Sequence, residues 1–140
     1  MNDEFEVEFE PSNDLLRRDV RTPLACEAAI AGVRVRFETN SRTVLDILSV
    51  CLNAEGVGSA SQAVVRIMVV DEPDSPAALR RVCIDQERLL LATSGSLGIS
   101  DARRAEALLY VTPALVRDRA RFTAEFVLPL ARGALGWPVE

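Results

Sequence analysis

Ala107-Leu108-Leu109-Tyr110-Val111-Thr112-Pro113 is the stretch whose reading decides the fold. Five apolar residues of strand-like composition run directly into a helix start. The Thr112 hydroxyl suits an N-cap, and Pro113 suits the first helical position, where its missing N–H removes no bond and its φ is preset. Val111 before the cap and Val116 after it have the spacing of a hydrophobic staple. Beyond them Phe122, Phe126 and Leu130 recur every fourth residue, with Val127 widening the stripe and Arg117, Arg121 and Glu125 off it. This pattern predicts a long amphipathic helix whose apolar face needs a cover. Pro129 removes the N–H bond to Glu125 and is expected to bend or end that helix, and Gly133 and Gly136 to stop it. Trp137 then falls in a loop beside Pro138, either packed back on the domain or facing a partner.

Working backward, Asp101-Ala102-Arg103-Arg104 reads as the turn into this strand, and Gly95 and Gly98 bracket another turn with a short strand at Leu97 to Ile99. Arg81 to Ile84 and Arg88 to Ala92 flank Asp85-Gln86-Glu87 as a hairpin. Pro73 and Pro76 mark a loop. Val64 to Val70 is almost continuously apolar, which predicts a central strand covered on both faces. Val44, Leu45, Ile47, Leu48, Cys51 and Leu52 repeat at helical spacing after a cap at Asn40 or Ser41, and Gly56 is the expected stop. Before that helix, Ala28 and Ile30 and then Val33, Val35 and Phe37 alternate about Ala31-Gly32. They form either two strands with a tight turn or one strand with a bulge.

The first fourteen residues carry six acidic side chains and no basic one, so of the net charge of −5 the remaining residues hold +1. Phe5, Val7 and Phe9 alternate with Glu4, Glu6, Glu8 and Glu10 up to Pro11. The segment is either an acidic tail or an edge strand whose glutamates oppose edge pairing, with a connector behind it. The expected organisation is therefore 1–24 as tail or edge strand plus connector, and 25–140 as one α+β domain. Its architecture is a mainly antiparallel twisted sheet of about five to seven strands with two amphipathic helices packed on one face.

Composition excludes more chemistry than it suggests. The chain of 140 residues has no His, and all 16 of its basic residues are Arg. Without His there is no Ser-His-Asp or Cys-His pair and no His metal site. Without Lys there is no Schiff-base amine and no phosphate-loop lysine. Cys26, Cys51 and Cys83 have no metal or redox spacing and are expected to be buried, reduced thiols. At 49% apolar and 26% charged residues, with no membrane-length apolar run and no secretory pattern, the chain is expected to be soluble and cytoplasmic.

Three polar clusters are candidate sites. Arg117, Arg119 and Arg121 with Arg103 and Arg104 would suit phosphate. Asp118 and Glu125 interrupt them, only 5% of residues are aromatic, and a solvated helix face is favoured over nucleic acid. Asp71, Glu72 and Asp74 lack the ligand count and spacing of a Ca²⁺ loop. Ser94-Gly95-Ser96-Leu97-Gly98 precedes neither a lysine nor a helix, so it is no phosphate loop. No catalytic, cofactor or metal residues are assigned.

Tyr110-Val111-Thr112-Pro113-Ala114-Leu115, Asp118-Arg119 and Arg121-Phe122 before an apolar helix resemble the region upstream of the nucleotide-binding domain in bacterial HPr kinase/phosphorylase-like proteins. Val33-Arg34-Val35-Arg36-Phe37-Glu38-Thr39-Asn40 entering a helix is similar to the same region, and the likeness spans Cys26 to Trp137. In such relatives the phosphate-binding loop and catalytic carboxylates follow, at positions this sequence lacks. The resemblance implies a non-catalytic accessory domain that docks a kinase-like ATPase, or the rest of its own chain, or associates with itself. The expected contact is Phe122, Phe126, Leu130 and Trp137. The alternative is a small-molecule or peptide-binding protein.

Overall fold

Ala31 and Gly32 both take positive φ, 51° and 84°, so the chain reverses in a two-residue turn of the kind that matches strand twist. This settles the first ambiguity in favour of a hairpin of β1 (Leu24–Ile30) and β2 (Val33–Thr39). The computed structural model describes residues 22–52, 60–70, 79–93 and 95–137. The acidic segment up to Arg21, the Asp71-Glu72-Asp74 cluster and the Gly56 stop lie outside the described residues.

Five further strands complete one mixed sheet: β3 (Val64–Val69), β4 (Arg80–Cys83), β5 (Arg88–Ala92), β6 (Leu97–Asp101) and β7 (Glu106–Val111). The order is β1-β2-β3-β7-β6-β5-β4. Four neighbouring pairs are antiparallel, and β2-β3 and β3-β7 are parallel. The fold is thus α+β with a mostly antiparallel sheet, as expected. The parallel pairing of β2 and β3 needs a crossover, and α1 (Arg42–Cys51) supplies it.

Ser41 caps α1, its Oγ accepting from the Val44 N–H at 3.2 Å. Asn40 does different work. Its Nδ2 donates to the Val69 carbonyl at 3.1 Å and its Oδ1 accepts from the Val69 N–H at 2.8 Å, a side-chain extension of the ladder between β2 and β3. Thr112 and Pro113 open α2 (Pro113–Arg117) as the sequence implies, with Thr112 Oγ1 accepting from the Leu115 N–H at 3.3 Å.

The long helix is not continuous. At Asp118, φ −89° and ψ 80° break it, and the Asp118 side chain recaps the one-turn α3 (Arg119–Arg121). A π-helical stretch, Phe122–Val127, then leads into α4 (Leu128–Ala134). In the π-turn the Leu128 N–H reaches back to the Thr123 carbonyl. That widened turn places Pro129 in the first turn of α4, where its missing N–H is tolerated, so the proline does not end the helix as expected. Gly133 is also inside α4. The stop comes at Gly136, whose φ of 80° allows the Gly136 N–H to meet the Gly133 carbonyl at 3.1 Å and the Trp137 N–H to meet the Arg132 carbonyl at 2.9 Å, a Schellman ending.

Register places Val35, Phe37, Val65, Ile67, Ala107 and Leu109 on one sheet face, all buried. They share a single core cluster with Val44, Ile47 and Leu48 of α1 and with Phe122, Phe126 and Leu130. β3 is interior to the sheet, as its apolar run suggested. Val65 and Ile67 are fully buried, whereas Val64, Arg66 and Met68 on the opposite face are half-buried.

Ala31 pays a steric cost for its left-handed conformation that Asn would reduce. Ala31→Asn is expected to stabilise the protein by about 0.5–1 kcal/mol, and Gly32→Ala to destabilise it by about 1 kcal/mol. Equilibrium urea denaturation measures both, and an unstable Ala31→Asn variant would count against this turn geometry.

Candidate interaction site

Phe122, Phe126 and Leu130, the stripe singled out as a partner surface, are all 0% exposed in the chain's own core. The reason is close approach. A Cβ on Gly98 of β6 would lie 2.5 Å from Leu130 Cδ1 and 3.0 Å from Leu109 Cδ1, so the absent side chain is what lets α4 settle on the strand. In this fold these three residues have no surface to offer. Trp137 does: it is half-buried against the core, with the Arg132 guanidinium 5.9 Å from its ring centroid.

Trp137 lies beside the β4-β5 hairpin. A cleft of about 120 Å³ is lined there by Cys83, Asp85 to Leu89, Ser100, Gly133, Gly136 and Trp137. Ligand pockets for drug-sized molecules run to about 300–1,000 Å³, so this one holds only a few atoms. Asp85 organises the hairpin loop. Its Oδ1 accepts from the Glu87 and Arg88 N–H groups at 2.8 and 2.9 Å, and its Oδ2 accepts from Arg88 Nε and Nη2 at 3.0 and 2.7 Å. These bonds, the Arg88 side chain first, hold the Asp85 carboxyl below the usual Asp range. At the cleft floor, Gly133 packs so tightly over Ser100 that a Cβ there would collide with Ser100 Oγ. That hydroxyl is buried and has no hydrogen-bond partner.

The exposed apolar side chains of the sheet gather on the other face of the same region. Val82, Ile84 and Leu97 are 48%, 43% and 47% exposed. Val82 pairs across from Leu90 and Leu90 from Ile99, which sets their common face. β4 ends the sheet, and all four of its residues are exposed. The hairpin itself was legible from sequence. Its place at the edge was not, because strand order depends on the non-local pairing of β3 with β7.

The remaining candidates separate. Arg103 and Arg104 leave one end of β7, and Arg117, Arg119 and Arg121 follow the other, about 20 Å away along a six-residue strand. Arg103 pairs with Glu87 at 3.0 Å, and Arg121 with Glu125 at 3.2 Å. No single phosphate site results. Ser96 opens β6 and accepts the Thr112 N–H at 3.4 Å, anchoring the start of α2 rather than cradling an anion. Cys26 is half-buried, and burial raises its thiol pKa first of all. Cys83 is exposed, contrary to the expected buried thiols, because it stands on an edge strand. Among the described residues no group of three or more His, Cys, Asp or Glu could hold a metal ion, and no helix is long and apolar enough to cross a membrane.

Comparison with protein-family models, with curated proteins and with solved structures finds no match.

Two outcomes follow from this geometry. Gly133→Ala is expected to cost about 1–3 kcal/mol by overpacking. Ser100→Ala alone is expected to be near neutral, because its hydroxyl has no partner to lose, and to recover part of the cost in the double variant. Strictly additive urea midpoints would contradict that contact. As to pH, a folded pKa below the unfolded one means that the Asp85 contribution is present above the unfolded pKa and is lost as pH falls through the folded pKa. A carboxyl-carbon NMR titration should place the Asp85 midpoint below the usual Asp range and move the Glu87 and Arg88 amide signals with it. A midpoint at or above that range would rule the loop geometry out.

Proposed function

We propose that this chain is a non-catalytic docking domain, related in kind to the region upstream of the nucleotide-binding domain in HPr kinase/phosphorylase-like proteins, and that it engages a kinase-like ATPase. In this reading both helical segments occupy one face of the sheet, and the contact lies at the β4 end of the other. The observation that carries it is the grouping of Val82, Ile84 and Leu97, each 43–48% exposed, beside the edge strand β4, whose outer side pairs with no described strand. An apolar patch next to an open edge offers a partner strand both main-chain hydrogen bonds and side-chain contact. Trp137 stands at the cleft on the opposite face and is not part of this patch.

Arg80 and Arg81 on β4 add a charge preference. A partner strand carrying acidic side chains would meet these guanidinium groups with opposite charge, which β4 of a second copy does not offer. A hetero-partner is therefore favoured over self-association. The cleft is too small to favour the small-molecule alternative.

The test uses the full chain with a purified HPr kinase-type nucleotide-binding domain as the probe, followed by titration calorimetry and by size exclusion with light scattering. Saturable binding is expected, weakened at least about tenfold, or 1.4 kcal/mol, by Leu97→Glu or Val82→Glu. No heat of binding, or an affinity that both variants leave unchanged, would sink the proposal.

A further inference from the structure

Hydrogen-bond alternation along the β4-β5 hairpin fixes which main-chain groups β4 leaves open. The Glu87 carbonyl accepts the Ala102 N–H at 2.8 Å, and the Thr93 N–H donates to the Ser96 carbonyl at 2.8 Å. Odd-numbered residues therefore bond toward β6, and by alternation Leu89 and Leu91 between them do the same. Even-numbered residues of β5 bond toward β4, and accordingly the Ile84 N–H donates to the Arg88 carbonyl at 2.9 Å. Ile84, Val82 and Arg80 thus direct their main-chain groups at β5. Arg81 and Cys83 turn theirs the other way, off the end of the sheet, and all four residues of β4 are exposed. Side chains alternate in step. Arg81 and Cys83 stand across from Leu91 and Leu89, on the face that Gly133 approaches, whereas Val82 and Ile84 share the opposite face with Leu97. The strand holds two cations, Arg80 and Arg81, and no anion.

We infer that β4 takes up an extended segment of a partner protein in which apolar side chains alternate with polar ones, an acid among the polar set. The main chain of that segment bonds to the outward N–H and C=O groups of Arg81 and Cys83. Its apolar side chains lie beside Val82 and Ile84, and its acid faces Arg81 on the other side of the sheet. The residue opposite Val82 belongs to a pair that shares no hydrogen bond, the kind in which side chains come closest, with Cβ atoms about 4.5–5.5 Å apart. Contact is thus tightest where the apolar side chains meet. A slip of one residue sets the acid against Val82 and an apolar side chain against Arg81, so the edge reads phase as well as composition.

The inference deepens the docking reading above and rests on its placement of the contact at β4, but not on the identity of the partner. A proline is a selective probe of this geometry. At position 83 it removes an N–H that points outward, so Cys83→Pro deletes a bond to the added strand and none between β4 and β5.

The experiment is amide NMR on the ¹⁵N-labelled full chain, titrated with the end-blocked peptide Thr-Val-Thr-Val-Glu-Val-Thr. In the free chain the Arg81 and Cys83 amides are expected to exchange with solvent at least about tenfold faster than that of Val82. The peptide should shift both signals saturably and slow their exchange. A Lys in place of its Glu, or the same composition reordered as Val-Val-Thr-Thr-Glu-Thr-Val, should bind at least about tenfold more weakly, as should the first peptide to Cys83→Pro but not to Cys83→Ser. Arg81 and Cys83 amides already protected in the free chain, equal binding of the three peptides, or no saturable shift at millimolar peptide would overturn the inference. Binding of the kinase-type domain without these amide changes would fault the strand pairing alone, and peptide binding without the domain would uphold the pairing and fault only that choice of partner.

Discussion

The close contact of α4 with β6 is the constraint from which the rest of the structure follows. Gly98 offers no Cβ, and Leu130 fills that space. One turn further on, Gly133 settles on Ser100. Two glycines, one in the strand and one in the helix, bring the backbones near enough for Phe122, Phe126 and Leu130 to lose all contact with water. Burying each side chain of that size contributes about 1.5–3 kcal/mol. A glycine inside a helix costs about 1 kcal/mol relative to Ala, so Gly133 is retained against its own propensity for the sake of that approach.

The same approach explains the irregular route into α4. A regular helix from Pro113 to Ala134 would carry Pro129 in its interior, at a cost of about 3 kcal/mol. The break at Asp118 and the π-helical turn divide the span, so that Pro129 falls in a first turn and the apolar side chains still face the sheet. Thr123 Oγ1, inside that turn, is buried without a partner, a polar cost retained at the adjustment.

Local chemistry was legible wherever a signal and its effect lie within a few residues. Thr112-Pro113, Ser41, the Ala31-Gly32 turn and the Asp85 loop all behave as their side chains dictate. The apolar stripe was legible as a stripe, but its cover was not. Whether a greasy helix face meets its own sheet or another protein depends on which strands assemble beneath it, and β6 pairs with β7 through a turn while β7 pairs with β3 across 36 intervening residues. The same non-local step hid the exposed site. Val82 and Leu97 look like ordinary strand residues until strand order leaves β4 at the edge.

The two ends of the sheet manage exposure differently, and this sets where a partner fits. At the β1 end the second face is laid out in charge pairs, Glu27 with Arg34 at 2.8 Å and Glu38 with both Arg36 and Arg66 at 2.8 and 3.3 Å. Ser61 adds a bond to Glu27, whose carboxyl is held low by Arg34 first and Ser61 next. Each exposed pair is worth little on its own, but a partner covering them would have to strip water from several ions at once. At the β4 end that penalty falls, since Val82, Ile84 and Leu97 gain by burial. The only charges on β4 itself, Arg80 and Arg81, are of one sign. Docking there is favoured by the difference between the two ends, not by any single residue.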